Sequence, residues 1–207
     1  MFNGIDVSKH QGKIDWQKVK DSGIDFAIIR AGFGKNNIDE YAHYNALRCN
    51  ELHIPIGFYW FSYALNEEMA IKEAEYLHMF VKEHLTEMPV YYDFEYDSAS
   101  YMSKNGVKAT PALINKMTQA FCNRLEELGC YAGFYANKDY YNNIYNAKTK
   151  RLYDLWLADY SATNLKNPKL IQTTSKGTVA GIKGYVDMDI ANINFPELLH
   201  RKHLNHL

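Results

Sequence analysis

Apolar positions along this chain switch repeatedly between a period of two and a period between three and four. Residues 2–8 read as a strand, and residues 15–22 as a short helix closed by Gly23. Residues 26–31 (Phe-Ala-Ile-Ile-Arg-Ala) are almost continuously apolar, the pattern of a strand covered on both faces. A helix over 39–52 and a strand over 55–64 follow. Within 67–84, Met69, Ala70, Glu73, Tyr76, Leu77, Phe80 and Val81 fall on one helical face. Residues 89–95 form a fourth strand. Thr110 as N-cap and Pro111 in the first turn start a helix that ends before Gly129. A fifth strand spans 131–136, and strands over 155–160, 170–174 and 185–190 then succeed one another without full helices. Strand–helix alternation implies a parallel sheet with right-handed crossovers. Eight strands imply closure. The predicted class is α/β: an irregular TIM-like barrel of five strand–helix units followed by three strands lacking full helices. It spans residues 1–196, with 197–207 as a C-terminal tail that is a loose helix or frays.

Composition narrows the functions open to such a barrel. The 207 residues suit one domain with a full core. A formal net charge of -1 gives no broad attraction to nucleic acid or to anionic membrane. No apolar run is long enough to span a bilayer, and no secretory signal precedes the first strand. Three cysteines (Cys49, Cys122, Cys130) without regular spacing argue against a disulfide framework or a zinc site, so buried free thiols are expected. His200, His203 and His206 have a spacing that a metal could use, but a terminal tail favours a solvated role. Gly32-Phe33-Gly34 lacks the third glycine of a dinucleotide loop, since Asn37 stands there. No cofactor or metal is expected, and a monomer is favoured.

The chemistry gathers at strand ends. Tyr91, Asp93 and Glu95 share one face of the fourth strand, so two carboxyl groups stand side by side. Their mutual repulsion pushes one of them to hold a proton at neutral pH. Barrel sites lie at the carboxyl ends of the strands. Asp6 ends the first strand and Asp187 lies in the last, its neighbour after closure, so four carboxylates can converge on one mouth. Asp189 shares a strand face with Asp187 but is left out of the predicted site. Such a set suits cleavage of a glycosidic bond, whose leaving oxygen must be protonated.

Several motifs, in order, resemble glycoside hydrolase family 25, the Chalaropsis-type lysozymes of bacteria, fungi and phage endolysins. They are Gly4-Ile5-Asp6-Val7-Ser8-Lys9-His10-Gln11-Gly12, Phe58-Tyr59-Trp60-Phe61-Ser62-Tyr63-Ala64, Asp93-Phe94-Glu95, Gly133-Phe134-Tyr135, Leu155-Trp156-Leu157-Ala158, Thr174-Ser175-Lys176-Gly177 and Gly184-Tyr185-Val186-Asp187. The resemblance implies an irregular barrel and N-acetylmuramidase activity, cleaving the β-1,4 bond between N-acetylmuramic acid and N-acetylglucosamine in bacterial cell-wall peptidoglycan. It implies a secreted or phage-released enzyme. It carries the family's four acidic positions onto Asp6, Asp93, Glu95 and Asp187. By the same likeness Tyr63, Tyr135 and Trp156 are candidate sugar platforms, and Gln172 and Arg30 candidate substrate contacts. The chain departs from the family at Ile171-Gln172-Thr173, where aromatic residues usually flank the glutamine. The length leaves no room for a separate wall-binding module, so the likeness implies a catalytic domain.

On this reading Glu95 is the general acid, and Asp93 stays ionised if neighbours hydrogen-bond to it. Asp93 then serves either as nucleophile or as the group that orients the substrate's own N-acetyl oxygen, and both routes retain configuration. The alternatives are a barrel hydrolase of chitin-like polymers and a non-catalytic peptidoglycan-binding protein.

Overall fold

A computed structural model describes residues 1–161 and 168–207. Among them, nine strands form one sheet: β1 Phe2–Val7, β2 Phe26–Phe33, β3 Asn37–Ile38, β4 Ile56–Phe61, β5 Val90–Asp93, β6 Ala132–Asn137, β7 Asp154–Ala158, β8 Leu170–Gly177 and β9 Val186–Ala191. Their order is β1-β9-β8-β7-β6-β5-β4-β2-β3, and a further β1–β2 pairing closes eight of them into a barrel. The two-residue β3 is appended to the end of β2.

The last strand corrects the parallel expectation. β9 runs antiparallel to both β8 and β1. The cause is the connection: residues 178–185 are too few for a crossover, which needs a dozen or more, so the chain turns back as a hairpin. The reversal matters for the site. Asp187 is near the start of β9, which in a parallel barrel would be the floor. Reversed, it pairs in register with Asp6 at the mouth.

The barrel is wrapped by α1 Trp16–Asp21, α2 Ala42–Glu51, α3 Glu67–Glu83, α4 Tyr96–Lys104, α5 Pro111–Glu127, α6 Lys138–Asn143 and α7 Ala147–Leu152, and α8 Phe195–Lys202 follows the last strand. α5 has the predicted Thr110 cap, with its hydroxyl oxygen accepting from Leu113 N at 3.2 Å. α2 starts later than the predicted 39, because Asp39 is drawn into an ion pair with Arg30. α4, α6 and α7 were not expected. The last two are six-residue helices capped by Asn137 and Asn146.

Strand alternation sorts the core into two layers. Ile5, Val7, Phe58, Trp60, Val90, Tyr92 and Phe134 point outward against the helices. Phe26, Ile28, Tyr59, Tyr91, Tyr135, Trp156 and Leu170 fill the barrel. Gly4 is needed where the barrel is tightest: a Cβ there would lie 2.2 Å from the Phe26 ring. Residue 197, where the tail was expected to begin, falls inside α8. Phe195 and Leu199 of that helix are fully buried. Beyond it, Asn205 accepts from Tyr131 N at 2.8 Å and donates to Met88 O at 2.9 Å, tying the terminus beneath the strands. The three cysteines are free and buried. Among the described residues, no helix is long and apolar enough to cross a membrane.

Candidate active site

At the mouth opens a cleft of about 230 Å³ into which Asp6, Asp93, Glu95 and Asp187 all project. Tyr59, Tyr135, Trp156, Tyr160 and Gln172 line it between them. The four carboxyl groups come from β1, β5, the segment after β5 and β9, so closure of the barrel and the reversal of β9 together assemble them.

Asp93 is the last residue of β5, and Glu95 is the N-cap of α4 rather than a strand residue. Its backbone is still extended (φ -125, ψ -170), so the alternation continues and Glu95 faces the cleft with Asp93. Phe94 between them is buried in the outer layer. The turn into α4 is fixed by Glu95 N donating to Ser98 Oγ at 3.1 Å. Burial, then the charges of Asp97 and Asp187, push the Glu95 carboxyl up to about 7. Asp93 is only 4% exposed. Burial and the charge of Glu95 raise it well above the usual carboxylate range, and Arg30 only partly opposes them. Its Oδ1 is buried with no hydrogen-bond partner among the described residues. That oxygen lacks the hydrogen bond on which an ionised Asp93 was made to depend.

The opposite wall is organised by Gln172, which is almost fully buried. Its Nε2 donates to Asp6 Oδ2 at 2.7 Å, while Oε1 accepts from Tyr160 at 2.9 Å and from Tyr135 at 3.3 Å. Both flanking positions that depart from the family pattern serve other ends. Ile171 is fully buried, and Thr173 Oγ1 donates to Met188 O at 3.1 Å.

One layer below lies Asp189, two residues from Asp187 on the same face of β9. Its Oδ1 accepts from the Trp156 indole at 2.8 Å. Its Oδ2 is buried and interacts with the Asp6 carboxyl group. Burial and the charges of Asp189 and Asp187 push Asp6 well up, outweighing the Gln172 bond. Burial pushes Asp189 to about 7, held back by Trp156 and by Asp6. Burial and mutual charge thus oppose ionising Asp6 and Asp189 together, and the two titrate as a pair.

Two of the expected substrate contacts, Arg30 and Tyr63, are not among the residues that line the cleft. Arg30 does not line the cleft; it pairs with Asp39 at 2.7 Å, and that carboxylate also accepts from Lys9 N and Tyr41 N, each at 3.1 Å. Tyr63 stands past the end of β4, its ring 4.9 Å from Tyr101 and 6.4 Å from Phe33. Trp156 and Tyr135 line the cleft, but they pack edge-on at 4.9 Å and are buried, so neither offers a free ring face. Conversely, Tyr59, Tyr160 and Asp189 were not foreseen. Strand parity places Tyr59 and Asp189 inside the barrel, and Tyr160 follows the end of β7.

A sequence profile of the glycosyl hydrolases family 25 matches residues 5–182. The chain belongs to glycosyl hydrolase family 25. The autolytic lysozyme of Clostridium acetobutylicum is 27% identical to it over 194 residues, 91% of this chain and 55% of that protein. The modular autolysin LytC of Streptococcus pneumoniae, solved with a synthetic peptidoglycan ligand, is also 27% identical. It superposes with a TM-score of 0.79 over 91% of this chain and 46% of its own. The family-25 chain described here therefore spans about half the length of these two relatives. The bacterial lysozyme of Streptomyces coelicolor is 22% identical with a TM-score of 0.79, covering 96% of this chain and 95% of its own, and shares the fold.

Proposed function

We propose that this family-25 barrel hydrolyses bacterial cell-wall peptidoglycan. The bond cut is the β-1,4 link between N-acetylmuramic acid and N-acetylglucosamine, and configuration is retained. The observation that carries the reading is the convergence of four carboxyl groups on one mouth, with Glu95 facing the cleft beside the buried Asp93. A likeness to an autolytic lysozyme and to an autolysin solved with a peptidoglycan ligand supports it. The enzyme acts on the wall after secretion or phage release, as a monomer.

Glu95 is the general acid. A carboxyl pushed up to about 7 holds its proton in neutral solution yet gives it up readily to a leaving glycosidic oxygen. Afterwards the same group, now ionised, takes a proton from the incoming water. Burial raises the Asp93 carboxyl well above the usual carboxylate range, which weakens it as a nucleophile until a partner hydrogen-bonds to its ionised form. That favours attack by the substrate's own N-acetyl oxygen. An acetamide N–H arriving at Asp93 supplies a hydrogen bond that the protein does not, and it steadies the positive charge of the cyclised intermediate. Gln172 holds Asp6 and the two tyrosines as the far wall. Tyr63, its ring tilted against that of Tyr101 beyond the cleft, extends the saccharide path.

Digesting purified peptidoglycan, reducing the products and identifying the new sugar end tests this. Reduced muramic acid at that end supports the proposal. Reduced glucosamine there, no release, or cleavage of chitin in place of wall overturns it.

A further inference from the structure

At the floor of the barrel, away from the acid cleft, three side chains from distant parts of the chain converge. His78 lies on α3, Cys130 between α5 and β6, and His206 in the C-terminal segment. His78 Nε2 and His206 Nε2 are 2.9 Å apart, and a ring nitrogen of each histidine and the Cys130 sulfur all lie within 4.8 Å of one another.

The convergence is built by the backbone. Asn205, the residue before His206, is buried and donates from its own N to Gly129 O at 2.9 Å, next to Cys130. Asn205 and His206 both have positive φ, 56° and 67°, a conformation that costs a residue with a Cβ and persists when its surroundings impose it. The sulfur is also singled out. Cys122 donates its thiol to Gly133 O at 3.3 Å, whereas the thiol of Cys130, also buried, makes no hydrogen bond among the described residues.

One thiol and two imidazoles make a donor set suited to zinc, with a fourth position left for water. Tetrahedral zinc with bonds of about 2.0–2.1 Å sets its nitrogens about 3.4 Å apart. The imidazoles need to part by only about 0.5 Å from their present 2.9 Å. His206 is exposed and its segment terminal, so this adjustment is small.

We propose that His78, Cys130 and His206 form a zinc-type metal site that clips the C-terminal segment to the barrel. On binding, the Cys130 thiol releases its proton to solvent, the two imidazoles bind as neutral ligands, and a water completes the coordination. The tail's own histidine spacing is not the ligand set: His200 pairs with Glu87 at 2.8 Å, and His203 ends α8. A second cluster, His43 with Glu83 and His84, lacks a thiol, and its His43–Glu83 separation is 4.0 Å. It serves as the comparison site.

The test uses the full chain, stripped with a chelator and titrated with Co²⁺ as a spectroscopic probe and then with Zn²⁺. One equivalent of Co²⁺ should give tetrahedral visible bands and a near-ultraviolet thiolate charge-transfer band, both displaced by Zn²⁺. Cys130→Ser should abolish the charge-transfer band. His206→Ala, at an exposed residue and so safe for folding, should weaken Co²⁺ binding by about tenfold or more. Zinc should raise Tm in the parent chain and not in His206→Ala, while wall hydrolysis is unchanged. Absence of the bands overturns the proposal. So does binding that survives both variants and is lost in His43→Ala. If Cys130→Ser fails to fold, His206→Ala decides alone.

Discussion

Two glutamates in this molecule are pushed up to about 7 by burial, and they lie in different regions of the wall. Glu73 sits outside the barrel, between α3 and β4, and is 3% exposed. Both its oxygens are taken: Oε2 accepts from Ser62 Oγ at 2.6 Å and Oε1 from Tyr63 N at 2.9 Å. Glu95 is half-buried at the mouth, beside three more carboxyl groups and a cleft large enough for part of a sugar. A raised pKa is thus the same physical event in both places, the cost of ionising in a poorly solvated site. Only access and unspent bonding capacity make one of them an acid for a substrate. Glu73 spends its capacity holding the exit of β4, where Tyr63 stands.

Substitutions should pull the two regions apart. The largest effect belongs to Glu95→Gln, which keeps the side chain's size and removes the transferable proton. We expect turnover on peptidoglycan to fall by about 10³-fold or more with Tm nearly unchanged, measured as release of reducing ends and by thermal melting. Near-parent turnover would remove Glu95 from the mechanism. Asp93→Asn should follow, at roughly 10²-fold. Because the proposed route uses the substrate's own acetamide, no covalent glycosyl–enzyme species should be trapped in it by mass spectrometry. Gln172→Ala should cost about tenfold, since Asp6, Tyr135 and Tyr160 lose their common partner.

Glu73→Gln should have the smallest effect on turnover and a clear one on stability. The folded chain holds the Glu73 proton up to about 7, whereas the unfolded chain gives it up near 4.5. The stabilisation is therefore complete below about pH 4.5 and is lost as pH rises through about 7. With folded and unfolded values of about 7 and 4.5, the loss is about 3 kcal/mol. Urea midpoints at pH 5 and pH 8 should show that Glu73→Gln flattens this decline. A decline as steep as the parent's would mean that other buried carboxyl groups carry it.

Much of this was legible in the sequence because it is written in local periodicity. The helical face from Met69 to Val81 and the apolar run through Phe26 to Ala31 both became the expected elements. The parity of Asp93 and Glu95 survived the change from strand to helix cap, because Glu95 keeps an extended backbone. What was missed depends on register and on depth. Parity puts Asp187 and Asp189 on one face, but only pairing with β1 tells that the first reaches the mouth and the second lies beneath it. The bond network of Gln172 joins β1, β6, β8 and Tyr160, two residues past β7, and no local pattern announces it. The reversal of β9 was readable in principle, from the shortness of residues 178–185. α4 is short and buries only Ser98 and Met102, so little of it is committed to the core.

The central claim is that the half-buried carboxyl of Glu95 supplies the proton, and the pH profile of kcat/KM on a soluble peptidoglycan fragment tests it most directly. A falling limb with an apparent pKa of about 7, where the acid loses its proton, is the predicted result. Activity that stays level from neutral pH to about pH 9 would contradict it.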